Sequence, residues 1–234
     1  MCHEPVIRIQ NLRKSFSSKQ LFQNLTVSFH KGLVSGIVGP NGSGKTTFLK
    51  LICGLIQPDE GIIEILGCQI PKQRMKIMPR IGVVLEGSRN LYWRLSGWEN
   101  FVYFGGLRGV FGKSLCTKGE MLFKELQLWD IKDELTQTYS RGMQQKLAII
   151  CAFISEPDLL ILDEPTLALD KPSQEIIESW IKKISVRKGK TVLLTSHQEE
   201  IMGNVCQKMI SLNSALGSVK NPLKTNEPEI MQSS

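Results

Sequence analysis

No run of apolar residues in this chain is long enough to cross a bilayer. The longest uninterrupted one, Leu147 to Ile154, has eight residues, where a spanning helix needs about 20. The opening, Met1-Cys2-His3-Glu4-Pro5, has no basic start followed by an apolar stretch, so no secretory signal is expected. The six cysteines (Cys2, Cys53, Cys68, Cys116, Cys151, Cys206) include no close pair and no ligand-like spacing. That argues for free thiols, several acting as small hydrophobes, and against a disulfide or metal framework. Long single-sign charge blocks are missing too. The formal net charge is +7, but the basic residues are spread out, with short clusters only at Lys72–Lys76 and Lys182–Lys190. This pattern fits a solvated surface, and no nucleic-acid partner is expected from it.

What is present is ordinary globular chemistry. Hydrophobic residues make up 41% and charged residues 22% of 234 positions, enough to bury a full core. The chain opens with short β-like runs at Val6–Ile9, Leu25–Phe29 and Leu33–Val38. A glycine-rich loop over Gly39 to Thr47 leads into a helical stretch, Phe48–Leu55, followed by strand patterns at Ile62–Leu66 and Ile81–Leu85. From about Ser88 to Ile154 the periodicity turns helical. Ser96 and Glu99 have capping-box spacing, Glu120–Trp129 has helical periodicity, and Ser140–Ser155 reads as a four-turn helix closed near Pro157. Leu159–Leu162 returns to a buried strand, then Pro172–Arg187 reads as a helix and Thr191–Thr195 as a strand. The alternation predicts an α/β domain with a mostly parallel sheet, interrupted by helices. Beyond Asn213 the chain is polar and broken by Pro222 and Pro228, which predicts a loosely ordered tail over 213–234.

The loop carries the first chemistry. Gly39-Pro40-Asn41-Gly42-Ser43-Gly44-Lys45-Thr46, with Thr47 behind it, fits the phosphate-binding pattern Gly-x-x-x-x-Gly-Lys-Ser/Thr. Glycines let the backbone wrap an anion at positive φ. The amides and the helix N-terminus then face the phosphates. Lys45 is expected to reach the β- and γ-phosphates of ATP, and the Thr46 hydroxyl to bind Mg²⁺. A second element is Leu159-Leu160-Ile161-Leu162-Asp163-Glu164-Pro165, an apolar strand ending in two acids. The C-terminal ends of such strands are where ligands gather. Asp163 is expected to hold Mg²⁺ and Glu164 to polarise the water that attacks the γ-phosphate.

Those two motifs occur in many nucleotide enzymes; a third narrows the choice. Tyr139-Ser140-Arg141-Gly142-Met143-Gln144-Gln145-Lys146, just upstream of the acidic strand, resembles the signature of the ABC ATPase family, usually written Leu-Ser-Gly-Gly-Gln. The resemblance spans about Val6 to Ser211. It implies a P-loop NTPase (RecA-like) core with an N-terminal antiparallel β subdomain, at about 1–87 and 156–212, and a helical subdomain at about 88–155. It also implies a permease subunit in the membrane and a head-to-tail partner, either a second copy or a homologous nucleotide-binding domain. Ser140 and Gly142 match positions that touch the γ-phosphate of ATP held by the opposite subunit. Phe16 matches the aromatic that stacks on adenine, Asp170 in Leu167-Ala168-Leu169-Asp170 the loop at the dimer interface, and His197 the switch histidine. Tyr139, Arg141 and Met143 depart from the common signature in a way similar to a branch of bacterial exporter ATPases. Glu86 stands where the family generally has Gln as a nucleotide and Mg²⁺ contact; a carboxylate is also a hard oxygen ligand. Tyr92, Trp93 and Trp98, just beyond it, suit either a docking groove for the membrane subunit or the core of the helical part. The implied protein is an ATP-hydrolysing transporter subunit, peripheral on the cytoplasmic face of the membrane. Two other readings stay open on sequence: a soluble ABC ATPase of another process, and an ATP-sensing regulatory module.

Overall fold

The computed structural model describes residues 5–16, 19–85 and 91–212. Strands β1 (Pro5–Phe16) and β2 (Lys19–His30) form a long antiparallel hairpin, and β3 (Val34–Val38) runs through the glycine-rich loop into helix α1 (Lys45–Ile52). β4 (Glu60–Ile65) and β5 (Cys68–Ile70) follow, then the single-turn α2 (Arg74–Ile77) and β6 (Ile81–Val84). Helices α3 (Gly97–Leu107), α4 (Gly112–Glu125) and α5 (Arg141–Phe153) come next. The chain ends its described part with β7 (Leu159–Leu162), α6 (Lys171–Lys188), β8 (Thr191–Ser196), α7 (Glu199–Val205) and β9 (Lys208–Ser211).

Two sheets result. One is antiparallel, in the order β2-β1-β4-β5; the other is parallel, in the order β6-β7-β8-β3-β9. Every residue of β3, β7 and β8 is buried, as expected of central parallel strands covered on both faces. Phe48 of α1 sits between the sheets, with its ring edge-on to Phe22 and Phe29 at 5.9 and 6.2 Å. Burying a side chain of this size contributes about 1.5–3 kcal/mol. The expected architecture is present: a P-loop NTPase core, an N-terminal antiparallel sheet and helices inserted between β6 and β7.

The boundaries differ from the sequence reading in instructive ways. α1 begins at Lys45, as the phosphate-loop sequence implies, but ends at Ile52, short of the Leu55 to which the apolar pattern runs. β1 and β2 are each 12 residues long where the β-like runs Val6–Ile9 and Leu25–Phe29 cover less than half of that. Asn11 and Asn24 take left-handed φ values of 51° and 60°, and the register shifts between Ile9 and Leu12; such bulges interrupt the two-residue period. α4 starts at Gly112 and ends at Glu125, since Gln127 is left-handed at φ 56°. The short elements β5, α2, α7 and β9 have too little period to be seen in sequence. The expected tail at 213–234 lies outside the described residues.

The inserted helices have their own aromatic centre. Trp98 packs on Phe101, Phe123 and Trp129 at 5.5, 5.7 and 6.1 Å. α4 approaches so closely that a Cβ at Gly119 would lie 2.6 Å from the Trp98 ring. Arg108 ties α3 to the sheet by donating to the carbonyls of Met78 and Ile81 at 2.9 and 2.8 Å. Glu125 of α4 accepts from Trp180 Nε1 and Lys183 Nζ of α6, at 2.9 and 2.7 Å. Among the described residues no helix is long and apolar enough to cross a membrane.

Asn100, fully buried at the start of α3, closes this region. Its carbonyl accepts from Tyr92 N at 2.8 Å, and its amide faces the carbonyls of Tyr92 and Ser96 and the Thr136 hydroxyl, each at 3.0 Å. Replacing it takes a bond from Tyr92 N and from the buried Thr136 hydroxyl, while the Tyr92 and Ser96 carbonyls keep only the amides of Leu95 and residue 100. Asn100→Ala is expected to cost about 2–4 kcal/mol, read as a lower urea midpoint with an unchanged slope.

Candidate active site

The parallel strand order puts β7 and β3 on either side of β8, so the acids after β7 face the loop after β3. Gly42 and Gly44 are left-handed, at φ 78° and 99°, a conformation that costs a side-chain-bearing residue about 1–2 kcal/mol. Gly39 is needed for a different reason: a Cβ there would lie 2.5 Å from the Leu212 carbonyl and 2.7 Å from Ser43 Oγ. Gly44 caps α1 without any side-chain hydrogen bond, so the first amides of the helix point into the loop, as anion binding requires.

Lys45 is only 7% exposed. Its Nζ donates to the carbonyls of Gly39 and Pro40 at 2.8 and 3.3 Å and lies 3.3 Å from Glu164 Oε1. Thr46 Oγ1 donates to Asp163 Oδ2 at 2.8 Å. The other carboxylate oxygen of Asp163 accepts from Thr195 Oγ1 at 2.6 Å, and that hydroxyl also accepts from Glu164 N at 3.0 Å. Glu164 Oε2 meets His197 Nδ1 at 3.2 Å. Glu164 itself is left-handed, φ 48°, a strained geometry that active sites concentrate. Lys45, Thr46, Glu164 and His197 border a cleft of about 480 Å³, which Asn41, Gly42, Thr47, Leu21 and Leu167 also line; Asp163 and Thr195 lie behind it.

The remaining sequence-derived positions fall elsewhere. Ser140 and Gly142 do not line this cleft; they open α5. Ser140 is the helix cap, its Oγ accepting from Met143 N at 3.2 Å, while its own N–H meets Met143 Sδ at 3.4 Å. A methionine thus takes the place that Glu or Gln holds in a capping box. Tyr139, the other departure, buries its ring and donates its hydroxyl to the Ile131 carbonyl at 2.7 Å. Burial pushes that phenol up to about 12. Gly142 abuts the start of α6, where a Cβ would meet Ser173 Oγ at 2.5 Å. Asp170 caps α6 by accepting from Ser173 N at 3.2 Å, and the hydrogen bonds from Ser173 hold its carboxyl below the usual range. Burial lowers the ammonium of Lys146, one turn into α5, with the charge of Asp170 opposing.

Phe16 stands at the end of β1, 47% exposed, with Lys14 Nζ 5.1 Å over its ring. Its hairpin reaches the phosphate loop through Leu21 and Phe22, both beside Gly44. Glu86 lies outside the described residues. The structure also divides the three aromatics that sequence left open: Trp98 is in the aromatic centre, whereas Tyr92 and Trp93 are 47% and 59% exposed. Thr195 was missed. Its only signal is a hydroxyl where the buried strand Thr-Val-Leu-Leu-Thr-Ser should be apolar.

The ABC transporter family profile matches residues 22–167. The ABC transporter ATP-binding protein NatA of Bacillus subtilis (strain 168) is 36% identical over 192 residues, covering 82% of this chain and 78% of that one. The Nod factor export ATP-binding protein I of Sinorhizobium fredii is 34% identical over 203 residues, covering 87% of this chain and 59% of that protein. Among solved structures, the dimeric post-hydrolysis state of the ATP-binding cassette MJ0796 bound to ADP and Pi superposes with a TM-score of 0.81. That likeness carries 26% identity and covers 92% of this chain and 96% of the other. With its phosphate loop, paired acids and histidine on one cleft, the chain belongs to the ABC transporter family as an ATP-binding, ATP-hydrolysing subunit.

Proposed function

We propose that this chain powers an exporter, closing head to tail with a second nucleotide-binding domain around two ATP molecules while docked on a separate polytopic permease. The observation that carries this is the separation of two half-sites within one chain. Lys45, Thr46, Glu164 and His197 line the cleft, with Asp163 bonded to Thr46 behind it, whereas Ser140 and Gly142 open a helix and do not line it. A serine cap, a glycine amide and a helix N-terminus form a second anion site, whose ligand is the triphosphate held by the partner. The dimeric relative MJ0796 supports such pairing, and the Nod factor exporter supports the direction of transport. Residues 88–155 act as the helical subdomain, with exposed Tyr92 and Trp93 suited to receive the permease. The complex then sits on the cytoplasmic face of the membrane.

The chemistry follows from the charges. Lys45 Nζ bonds the Gly39 and Pro40 carbonyls and lies beside Glu164. Phosphate oxygens offer it stronger, charge-assisted bonds, so binding transfers Lys45 to the triphosphate and releases a Glu164 oxygen. Glu164, steadied by His197, then accepts a proton from the attacking water. Thr46 Oγ1 and Asp163 Oδ2, 2.8 Å apart, are two hard oxygens beside the phosphate loop. They fit Mg²⁺, which takes few protein ligands and completes its shell with phosphate and water. When bound, the ion neutralises charge on the phosphates. Ser140 and Gly142 of the partner close the other side of the γ-phosphate, and Phe16 stacks on adenine.

Three substitutions test these roles. Glu164→Gln is expected to lower turnover by about 10²–10⁴-fold and to accumulate an ATP-bound dimer on size-exclusion chromatography. Normal hydrolysis by a monomer would falsify its role. Lys45→Ala removes a charge-assisted contact and is expected to weaken ATP binding about 10- to 100-fold, measured by titrating a fluorescent nucleotide. Gly142→Ala drives a methyl into Ser173. It is expected to leave nucleotide affinity of the monomer intact and to abolish the ATP-dependent dimer when combined with Glu164→Gln.

A further inference from the structure

We propose that Thr195 is a positioning residue that sets both acids of the site with a single hydroxyl, an inference that rests on the catalytic reading of Asp163 and Glu164. Thr195 is fully buried on β8, next to the strand end that carries the acids: Leu162 pairs with Leu194. A hydroxyl has one proton and two lone pairs. Here the directions are fixed by the partners, because a carboxylate only accepts and an amide only donates. The proton goes to Asp163 Oδ1 at 2.6 Å, and a lone pair accepts the amide of Glu164 at 3.0 Å. No water is needed to complete either bond.

Each bond has a separate consequence. Holding Oδ1 fixes the carboxylate plane of Asp163, and its remaining oxygen is left facing Thr46 at 2.8 Å. Holding the amide of Glu164 secures the left-handed backbone at φ 48° that aims the carboxylate between Lys45 and His197. The backbone would otherwise relax toward an unstrained conformation. Thr195 also stands two residues before His197, so one strand end delivers both the hydroxyl behind the acids and the ring in front of them. A serine could make both bonds; valine, of nearly the same shape, can make neither.

The test compares Thr195→Val, Thr195→Ser and Glu164→Gln in the full chain, with ATPase kinetics and metal binding read separately. Thr195→Val is expected to reduce kcat and to weaken Mn²⁺ binding, read by EPR with a non-hydrolysable ATP analogue, each by about 10–100-fold. Nucleotide affinity in EDTA stays at the wild-type value, since neither bond touches the nucleotide, while the KM for Mg-ATP rises along with the loss of metal affinity. Thr195→Ser restores kcat and Mn²⁺ affinity, which a purely space-filling role would not require. Should the valine variant not fold, as judged by circular dichroism, Thr195→Ala replaces it with the same expectations. Wild-type kcat and Mn²⁺ affinity in the folded Val or Ala variant, alongside an inactive Glu164→Gln, overturn the role of Thr195 alone. A fully active Glu164→Gln overturns the reading of the acids beneath it.

Discussion

Three charged groups at the end of the parallel sheet have been taken out of water, and their mutual satisfaction organises the molecule. Asp163 is 2% exposed, and the side chains of Lys45 and Glu164 are 7% and 8% exposed. An isolated buried charge is expensive, and removing one partner of a buried pair is worse than never having had the pair. The chain therefore places β7, β8 and β3 side by side, so that acids from one strand end meet a lysine and hydroxyls from the others. A stable but unreactive core would have used apolar side chains here. The site keeps charges whose best partners are the phosphates.

The same logic explains why the two halves of the proposed composite site remain apart within one chain. The signature segment is held from behind, by Tyr139 bonded to Ile131 and by Gly142 against Ser173. Ser140 and Gly142, at the N-terminus of the helix, do not line the chain's own cleft. The departures from the common signature are structurally coherent: tyrosine anchors the segment in the helical region, and methionine supplies a sulfur acceptor where a side-chain oxygen is usual.

Much of this was legible in the sequence, and for physical reasons. Phosphate loops and acidic strand ends are contiguous, so spacing alone exposes Lys45, Thr46, Asp163 and Glu164. The parallel sheet shows because its central strands are mostly apolar and buried throughout. What stayed hidden depends on contacts between distant segments. Thr195 looks like an ordinary β-branched strand residue until Asp163 is brought beside it, 32 positions away. Trp98 could not be told from Tyr92 and Trp93 because burial, not residue type, separates them. Most of the long β1–β2 hairpin was invisible, as left-handed Asn11 and Asn24 break the alternation that betrays a strand.

Helix α6 joins these regions mechanically. Its 18 residues make a rod about 27 Å long. One end touches Gly142, the middle is gripped by Glu125, and near the far end Ser185 donates to the Gly32 carbonyl at 3.0 Å. Gly32 stands two residues before the strand that feeds the phosphate loop. In the proposed dimer, one helix thus connects the segment that meets the partner with the turn leading into the strand before the phosphate loop.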